Sequence, residues 1–427
     1  MRKSAMLLGT NIEHAKSLNR RVVLEAVRRS GSMTRADLAR LTGLTAQAVS
    51  NISLELVEAG LVLEGARRRG QRGQPATEIS LNPEGGFAVG LSLGHQALSG
   101  VLVNLAGTVL ATESHDVAKR VLPLDRLTDE METLVQELLA RAGLARGQLW
   151  GVGCGLPGLV RDGVLSVETS STAERLHYPL AETLGRRLDL PVFAENDARA
   201  AAIGERLYGI GRQAQHFFYI HFGFGIGGGP IIAGEQYRGG SGGAGEIGHM
   251  IVKPGGRPCN CGNRGCLEQY VSLYAAAEAI SGADRSPEDV PVRELAQRME
   301  RKDPLLLGWI RDAAPYLRLA IHNIEIMFDP ETVVLGGSLP ETVRNALIAE
   351  TEPLLPAVYP DSRPRLPRLV RAEAQDMPAL GAAALPISAM LQPSRDLLWK
   401  GRGAGGQALN LVQTVLGAPL GGQAGSL

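Results

Sequence analysis

Between Leu18 and Ser30 the apolar residues Leu18, Val22, Val23, Ala26 and Val27 recur at helical spacing on one face, and Gly31 ends the run. A shorter helix is predicted over Thr34–Thr42, with Thr34 as N-cap and Asp37 three residues on in an approximate capping box; Gly43 breaks it. A third helix is predicted from Thr45 to Gly60. Val49, Ile52, Leu56 and Val57 make its inward face, while Gln47, Ser50 and Asn51 point outward. The segments LVLEG and ATEISLN then read as two strands around an arginine-rich turn. Helix, short helix, tight glycine turn, helix and hairpin is the order of a winged helix-turn-helix.

From Phe87 the period changes. GFAVGLSLG, LSGVLVNLAG and TVLATESHDV predict consecutive strands with turns at Gly94 and Gly107, and an amphipathic helix spans Pro123–Gly143. Strands are predicted at LWGVGCGLPG, LPVFAEN, HFFYIHFG, TVVLGG and PRLVRAEA, with a hairpin at GPIIAGEQYRGG. Helices are predicted at 197–208, 267–281, 291–300, 303–327, 341–354 and in ALGAAALPISAML. Such alternation implies an α/β body. The domains predicted are a DNA-binding head with basic linker (1–82), a first α/β lobe (83–190) and a second α/β lobe with a cysteine-rich loop (191–391). A Gly/Ala-rich tail (392–427) carries too little apolar surface to order itself.

Charge sharpens this division. The 427 residues carry no net charge, yet residues 1–80 hold thirteen basic against seven acidic side chains, leaving a surplus of six that the remainder offsets. A basic head on an acidic body calls for a polyanionic partner at the head. Aromatic residues make up only 4%, which argues against a single-strand binder that stacks bases. No run of about 18 apolar residues suggests a membrane span and no apolar core suggests a signal peptide, so the cytoplasm is expected.

The strongest local signal is EIGHMIVKPGGRPCNCGNRGCLEQY. His249, Cys259, Cys261 and Cys266 offer one imidazole and three thiols, a set that suits tetrahedral zinc; with four protein ligands and no open position, the ion is expected to be structural. Gly262 and Gly265 let the chain fold closely around it. Cys154, within a strand, reads as an inert core thiol. A neutral polyol is bound by polar side chains that donate to and accept from hydroxyls. Asn196 and Asp197 stand where a strand enters a helix, while Glu246 and Glu268 flank the cysteine loop, so a metal there would hold both carboxylates. His249 could ligate through one nitrogen and donate to a hydroxyl through the other.

Cys259-Asn260-Cys261-Gly262-Asn263-Arg264-Gly265-Cys266-Leu267-Glu268, preceded by His249, resembles the zinc signature of the ROK family of bacterial repressors and sugar kinases. GLPG (155–158), ENDA (195–198), GFGIGGG (223–229), GGAGEIGH (242–249), FDPETVVLGG (328–337) and LGAAAL (380–385) follow the family's order, so the resemblance covers roughly 18–390. It implies a two-lobed actin-like ATPase/sugar-kinase fold behind the winged helix-turn-helix, with sugar contacts at Asn196, Asp197, Glu246, His249 and Glu268. Asp197 matches the base of the family's kinases. Their first phosphate loop, Asp-x-Gly-Gly-Thr, is here Ser92-Leu93-Gly94-His95-Gln96, and their Gly-Thr-Gly is Gly223-Phe224-Gly225. Phosphoryl transfer rests on positioning and charge stabilisation, so losing both grips predicts no kinase activity. An ATP-dependent sugar kinase is the alternative.

The predicted function is therefore a sugar-responsive transcription regulator, by analogy a repressor, whose effector could also be a sugar phosphate or a protein. Thr45, Ala46, Gln47, Ser50 and Asn51 would face the major groove of operator DNA, Arg35 a phosphate, and Arg72 the minor groove. The family's Gly-Arg-Pro is here Gly73-Gln74-Pro75, which moves the charge to Arg72. One half-site carries little specificity, so a homodimer or homotetramer on a palindrome is expected.

Overall fold

The structure, a computed structural model, describes residues 12–68, 76–117, 123–168, 175–282, 285–358, 366–372 and 377–391. The head comprises α1 (Ile12–Ser30), β1 (Ser32–Thr34), α2 (Arg35–Thr42), α3 (Ala46–Glu58), β2 (Val62–Arg68) and β3 (Ala76–Leu81). Thr34 and Thr45 cap α2 and α3, accepting from the backbone N–H of Asp37 and Ala48, and Gly43 closes α2 at φ 70°. The wing is three-stranded. β1, which the hydrophobic pattern did not announce, pairs with β3 at the edge opposite β2.

The body begins with β4 (Phe87–Leu93), β5 (Ala97–Asn104), β6 (Val109–Asp116), α4 (Leu124–Ala142) and β7 (Leu149–Leu156). A small antiparallel sheet follows, of β8 (Leu159–Arg161), β9 (Val164–Glu168) and β10 (Arg175–Tyr178), then α5 (Leu180–Leu188), β11 (Val192–Asn196) and α6 (Asp197–Tyr208). The second half holds β12 (Phe217–Phe222), β13 (Ile226–Ile232), β14 (Glu235–Gln236), α7 (Leu273–Ser281), α8 (Val292–Glu300), α9 (Pro304–Phe328), β15 (Thr332–Gly337), α10 (Glu341–Thr351), β16 (Leu369–Arg371) and α11 (Met377–Leu391). The sheet orders β11-β7-β4-β5-β6 and β14-β13-β12-β15-β16 repeat one plan: an antiparallel meander whose first strand also pairs in parallel with a later strand, which in turn pairs in parallel with a second one.

The expected division at residue 191 does not follow the sheets. β11 pairs in parallel with β7 of the first sheet. α11 also lies on that sheet, because Gly90 and Gly153 have no Cβ: one would sit 2.0 Å from the Ala379 carbonyl oxygen and 1.8 Å from that of Ala382. The helix expected over 267–281 starts only at Leu273, since Leu267–Gln269 is a single 3-10 turn leaving the cysteine loop. Arg72 and the 392–427 tail lie outside the described residues.

α6 and α11 form the layer between the sheets. They cross at Gly204 and Gly381, where a Cβ on Gly204 would meet the Gly381 Cα at 2.8 Å. The head docks on the far ends of both helices. Arg21 donates to the Ala389 carbonyl (2.7 Å) and Arg28 to the Leu207 carbonyl (2.6 Å). Val23, Leu24 and Val27 of α1 share one apolar core with Ala200–Leu207 and Leu391. Among the described residues no helix is long and apolar enough to cross a membrane.

Candidate functional site

The cysteine loop is folded by its own backbone. Val252 N–H donates to Gly265 O (2.9 Å), Gly265 N–H to Arg257 O (2.7 Å) and Cys259 N–H to Asn263 O (2.9 Å). Gly262 and Gly265 both sit at φ 86°, and a Cβ on Gly265 would fall 1.8 Å from the Lys253 carbonyl oxygen. His249, Cys259, Cys261 and Cys266 thereby place one donor atom each within 4.8 Å of all the others. The Cys261–Cys266 sulfurs are 3.6 Å apart, as are Cys259 Sγ and His249 Nδ1. A tetrahedral ion with bonds of about 2.0–2.3 Å has ligand–ligand edges of about 3.5–3.8 Å, so the group can hold a metal. The Asn263 backbone N–H brings the Cys261 thiol down to about 7, while burial pushes Cys259 up. A bound divalent cation would deprotonate the coordinating thiols.

Glu268 ties this cluster to the cleft. Its Oε1 accepts from Cys259 Sγ (3.0 Å) and lies 3.5 Å from His249 Nδ1. Its Oε2 lies beside the backbone of Gly225 and Gly248. Glu246 is exposed at the head of the 3-10 turn Ile247–His249, so it and His249 share one rigid turn.

On the facing side, Asn196 caps α6. Its side-chain oxygen accepts from Ala198 N–H (3.1 Å) and Arg199 N–H (3.3 Å), and its amide nitrogen donates to Gly158 O (3.2 Å). One amide proton is left to meet a ligand. Asp197 accepts from Ala198 N–H (2.8 Å), and its other oxygen is 3.7 Å from His221 Nε2. Burial holds His221 below the usual imidazole range, with Asp197 opposing. The two halves meet through β13: Gly229 rests on Ala198 and Ala202 of α6, and Gly228 abuts Gly245, the neighbour of Glu246.

Sequence reasoning missed the ion pair beneath Asn196. Glu195 and Arg199, 4% and 2% exposed, bond at 2.8 Å. Glu195 also accepts from Asn196 N–H and from Arg238, and Arg199 reaches the carbonyls of Val160 and Gly242. This strut fixes the α6 start, the β8 hairpin and the glycine loop together. Its only trace in the sequence is an acid and a base four residues apart across ENDA.

The segments Ser92–Gln96 and Gly223–Gly225 touch each other. The His95 ring lies on Phe224 at 3.7 Å between centroids and 7° between planes, and Tyr274 meets Phe224 edge-on at 5.2 Å. Gln96 donates across the lobes to the carbonyls of Glu288 (3.1 Å) and Val290 (3.3 Å). Gly223 and Phe224 carbonyls accept from Leu273 and Tyr274 N–H at the start of α7. Side chains from both halves are thus stacked at this contact.

On the head, Thr45, Ala46, Gln47 and Asn51 are exposed on α3, and Ser50 is half-buried. Gln47 donates to Asn51 (2.9 Å), which pre-arranges the two amides on the outer face. Arg35, expected to face a phosphate, has its guanidinium paired with Glu64 of β2.

Residues 88–389 match the ROK family. The chain is 27% identical over 376 residues to the xylose repressor of Bacillus spizizenii, covering 88% of this chain and 96% of that protein. It is 26% identical over 388 residues to the DNA-binding transcriptional dual regulator NagC of Escherichia coli K12, covering 89% and 95%. Among solved structures, a ROK family transcriptional regulator described as a homologue of the E. coli MLC protein superposes with a TM-score of 0.70 at 26% identity, over 94% of this chain and 99% of that one. A ROK family glucokinase from Streptomyces griseus, in complex with glucose and AMPPNP, gives 0.57 at 26% identity over 70% and 99%. The glucokinase match leaves a part of this chain uncovered that the regulator match includes.

Proposed function

The chain belongs to the ROK family, and from that membership we propose that it is a sugar-responsive transcription regulator, a repressor of genes for carbohydrate uptake or catabolism, acting on operator DNA in the cytoplasm. The observation that carries this reading is the pairing of a winged helix-turn-helix head with a body in which the His95 ring stacks on Phe224, at the two segments where the family's kinases would carry phosphate loops. Relatives named as repressors align along almost their whole length, which supports the same reading.

A sugar is bound by Asn196, Asp197, Glu246, His249 and Glu268. A structural zinc held by His249, Cys259, Cys261 and Cys266 fits the donor set and keeps Glu268 and the Glu246 turn in place. Zinc supplies rigidity here; the hydrogen bonds to sugar come from the chain itself. Asp197, the position of a kinase base, serves as a hydroxyl acceptor, since no phosphate can enter beside Phe224. Thr45, Ala46, Gln47, Ser50 and Asn51 read the major groove, and a homodimer or homotetramer matches a palindromic site. Arg72 completes the contact in the minor groove.

Fluorescence anisotropy on DNA upstream of the protein's own operon, at fixed salt and with a panel of sugars, tests this. Nanomolar-range binding that one sugar shifts by at least about fivefold is the expected result. Sugar-dependent ADP formation in a coupled assay would replace the reading with kinase.

A further inference from the structure

The segment that leads from β14 to Glu246 has almost no conformational preference of its own. Of the seven residues from Gly239 to Gly245 five are glycine, and Gly239, Gly242 and Gly245 stand at φ 73°, 78° and 95°. Glycine has more freedom to lose than any other residue, so such a loop keeps one shape only where something outside it does the holding. Its backbone bonds are few: Ala244 N–H donates to the Arg238 carbonyl (3.2 Å), and Ile247 N–H to that of Gly245 (2.7 Å). Among the described residues its one side-chain hydrogen bond comes from Arg199, whose Nη1 donates to the Gly242 carbonyl.

Arg199 can hold the loop because it is itself held. Its side chain is 2% exposed, and its flat fork is divided three ways: Nε to Glu195 Oε1 (2.8 Å), Nη2 to the Val160 carbonyl (3.4 Å) and Nη1 to Gly242. Glu195, 5% exposed, turns its other oxygen to Gln236 (3.4 Å) and Arg238 (3.1 Å) at the entry of the loop. The loop is thus fastened at its entry and at its middle to one buried ion pair, and that pair brackets Asn196 and Asp197. Its far end rests on β13, where a Cβ on Gly245 would fall 2.1 Å from the Gly228 carbonyl oxygen.

On the reading of the cleft as a sugar site, we infer that Arg199 is a positioning residue: by fixing Gly242 it sets where Glu246, four residues on, stands relative to Asn196 and Asp197. Arg199 touches no sugar. One guanidinium joins the two sides of the site, from the α6 start to the loop ahead of the Ile247–His249 turn. A sugar that draws on Glu246 finds it in place and does not have to order a glycine loop on binding.

The test is a double-mutant cycle on the full chain, with affinities for D-glucose, D-xylose, D-mannose and N-acetyl-D-glucosamine measured by titration calorimetry. Arg199→Lys keeps the charge beside Glu195, but a single point donor cannot serve three acceptors. It is expected to weaken binding of the recognised sugar about tenfold, the lower end for loss of a hydrogen bond from a charged group. In a Glu246→Ala background the same change is expected to cost less than about twofold, because the residue it places is gone. Costs that add in full overturn the proposal: Arg199 then acts on the fold at large, or the packing of Gly245 on Gly228 places Glu246 unaided. Unchanged affinity in Arg199→Lys overturns it as well. A parent chain that binds none of the four sugars overturns the reading of the cleft, and the role of Arg199 falls with it. Should Arg199→Lys not fold, Arg238→Ala takes its place in the cycle. The Arg238 side chain is 65% exposed and ties the loop entry to Glu195, so its loss is expected to weaken binding about threefold, with the same failure to add to Glu246→Ala.

Discussion

The crossing of α6 and α11 makes a prediction in which two effects of one substitution oppose each other. Replacing glycine by alanine inside a helix ordinarily stabilises by about 0.5–1 kcal/mol, because the unfolded chain loses freedom. At Gly381 the new Cβ would stand 2.5 Å from Ala200 O and 2.6 Å from Ala201 Cα, both backbone atoms of α6. Neither can rotate away, so the helices must separate by about 1 Å to regain ordinary contact near 3.5 Å. Overpacking of this kind costs about 1–3 kcal/mol, occasionally more. Taking the middle of each range, the clash wins by about 1.3 kcal/mol, and Gly381→Ala is expected to lower the unfolding midpoint by roughly 3–5 °C at about 2–4 °C per kcal/mol. Gly308, inside α9, is the control: nothing lies within 4 Å of its added Cβ, so Gly308→Ala should raise the midpoint by roughly 1–3 °C. Differential scanning calorimetry of both variants checks the pair. Shifts of the same sign, or a Gly381→Ala protein as stable as the parent, would refute the close packing that joins the two helices.

The purified chain should contain one zinc, measured by atomic emission, and Cys266→Ser should lose it and weaken sugar binding by about 10–100-fold as Glu268 comes adrift; full sugar affinity in the metal-free variant would sink that link. Fluorescent ATP analogues should show no saturable binding, and saturation by them would contradict the closed His95–Phe224 contact. Gln47→Ala should weaken operator binding about tenfold without moving the unfolding midpoint, since among the described residues its only side-chain bond is to Asn51. His115 of β6 is held above its ordinary pKa of 6.5 by hydrogen bonds to Glu137 and Glu130 of α4. A raised pKa adds stability that is whole below pH 6.5 and vanishes as pH rises through the folded-state value. The midpoint difference between the parent and His115→Gln should thus shrink from about pH 6 to pH 9, and a constant difference would show that the imidazolium adds nothing.

What could be read from the residues was what short-range chemistry dictates. Thr34 caps α2 and Gly43 ends it as expected, and Thr45, expected as the first residue of the next helix, is its N-cap. The four metal-binding candidates lie within eighteen residues of one another, so their convergence needs no knowledge of the fold. Long-range facts were hidden. The run ALGAAALPISAML is apolar on every side, which announces burial but not which sheet it covers; α11 proved to lie on the first. Glu195 and Arg199 look like any exposed i, i+4 pair until burial shows them to be a strut. Phe224 was expected to crowd a phosphate; that its ring stacks on His95, brought to it from the other half, could not be read from the residues.

α6 is where these separate features become one argument. Its first residue, Asp197, belongs to the proposed sugar site, and eleven residues on, about 16 Å at about 1.5 Å per residue, its end carries Leu207 and Tyr208 at the head. The helix is held at its start by the Asn196 cap and the Glu195–Arg199 strut, along its side by α11, and at its end by Arg28. A sugar can change operator affinity only by binding two arrangements of head and body unequally. The Asn196 amide gives one proton to Gly158 and has a second for a hydroxyl, so a sugar disturbs the Gly158 bond only where it turns the amide, and there it loosens the hold of the α6 start on the β7–β8 turn. A neutral hydrogen bond of this kind contributes about 0.5–1.5 kcal/mol. That overlaps the lower part of the range of 1–3 kcal/mol over which couplings between distant sites usually fall, so exchange of this one bond can account for a modest response, and a larger one would need Glu246 and Glu268 to differ between the two arrangements as well.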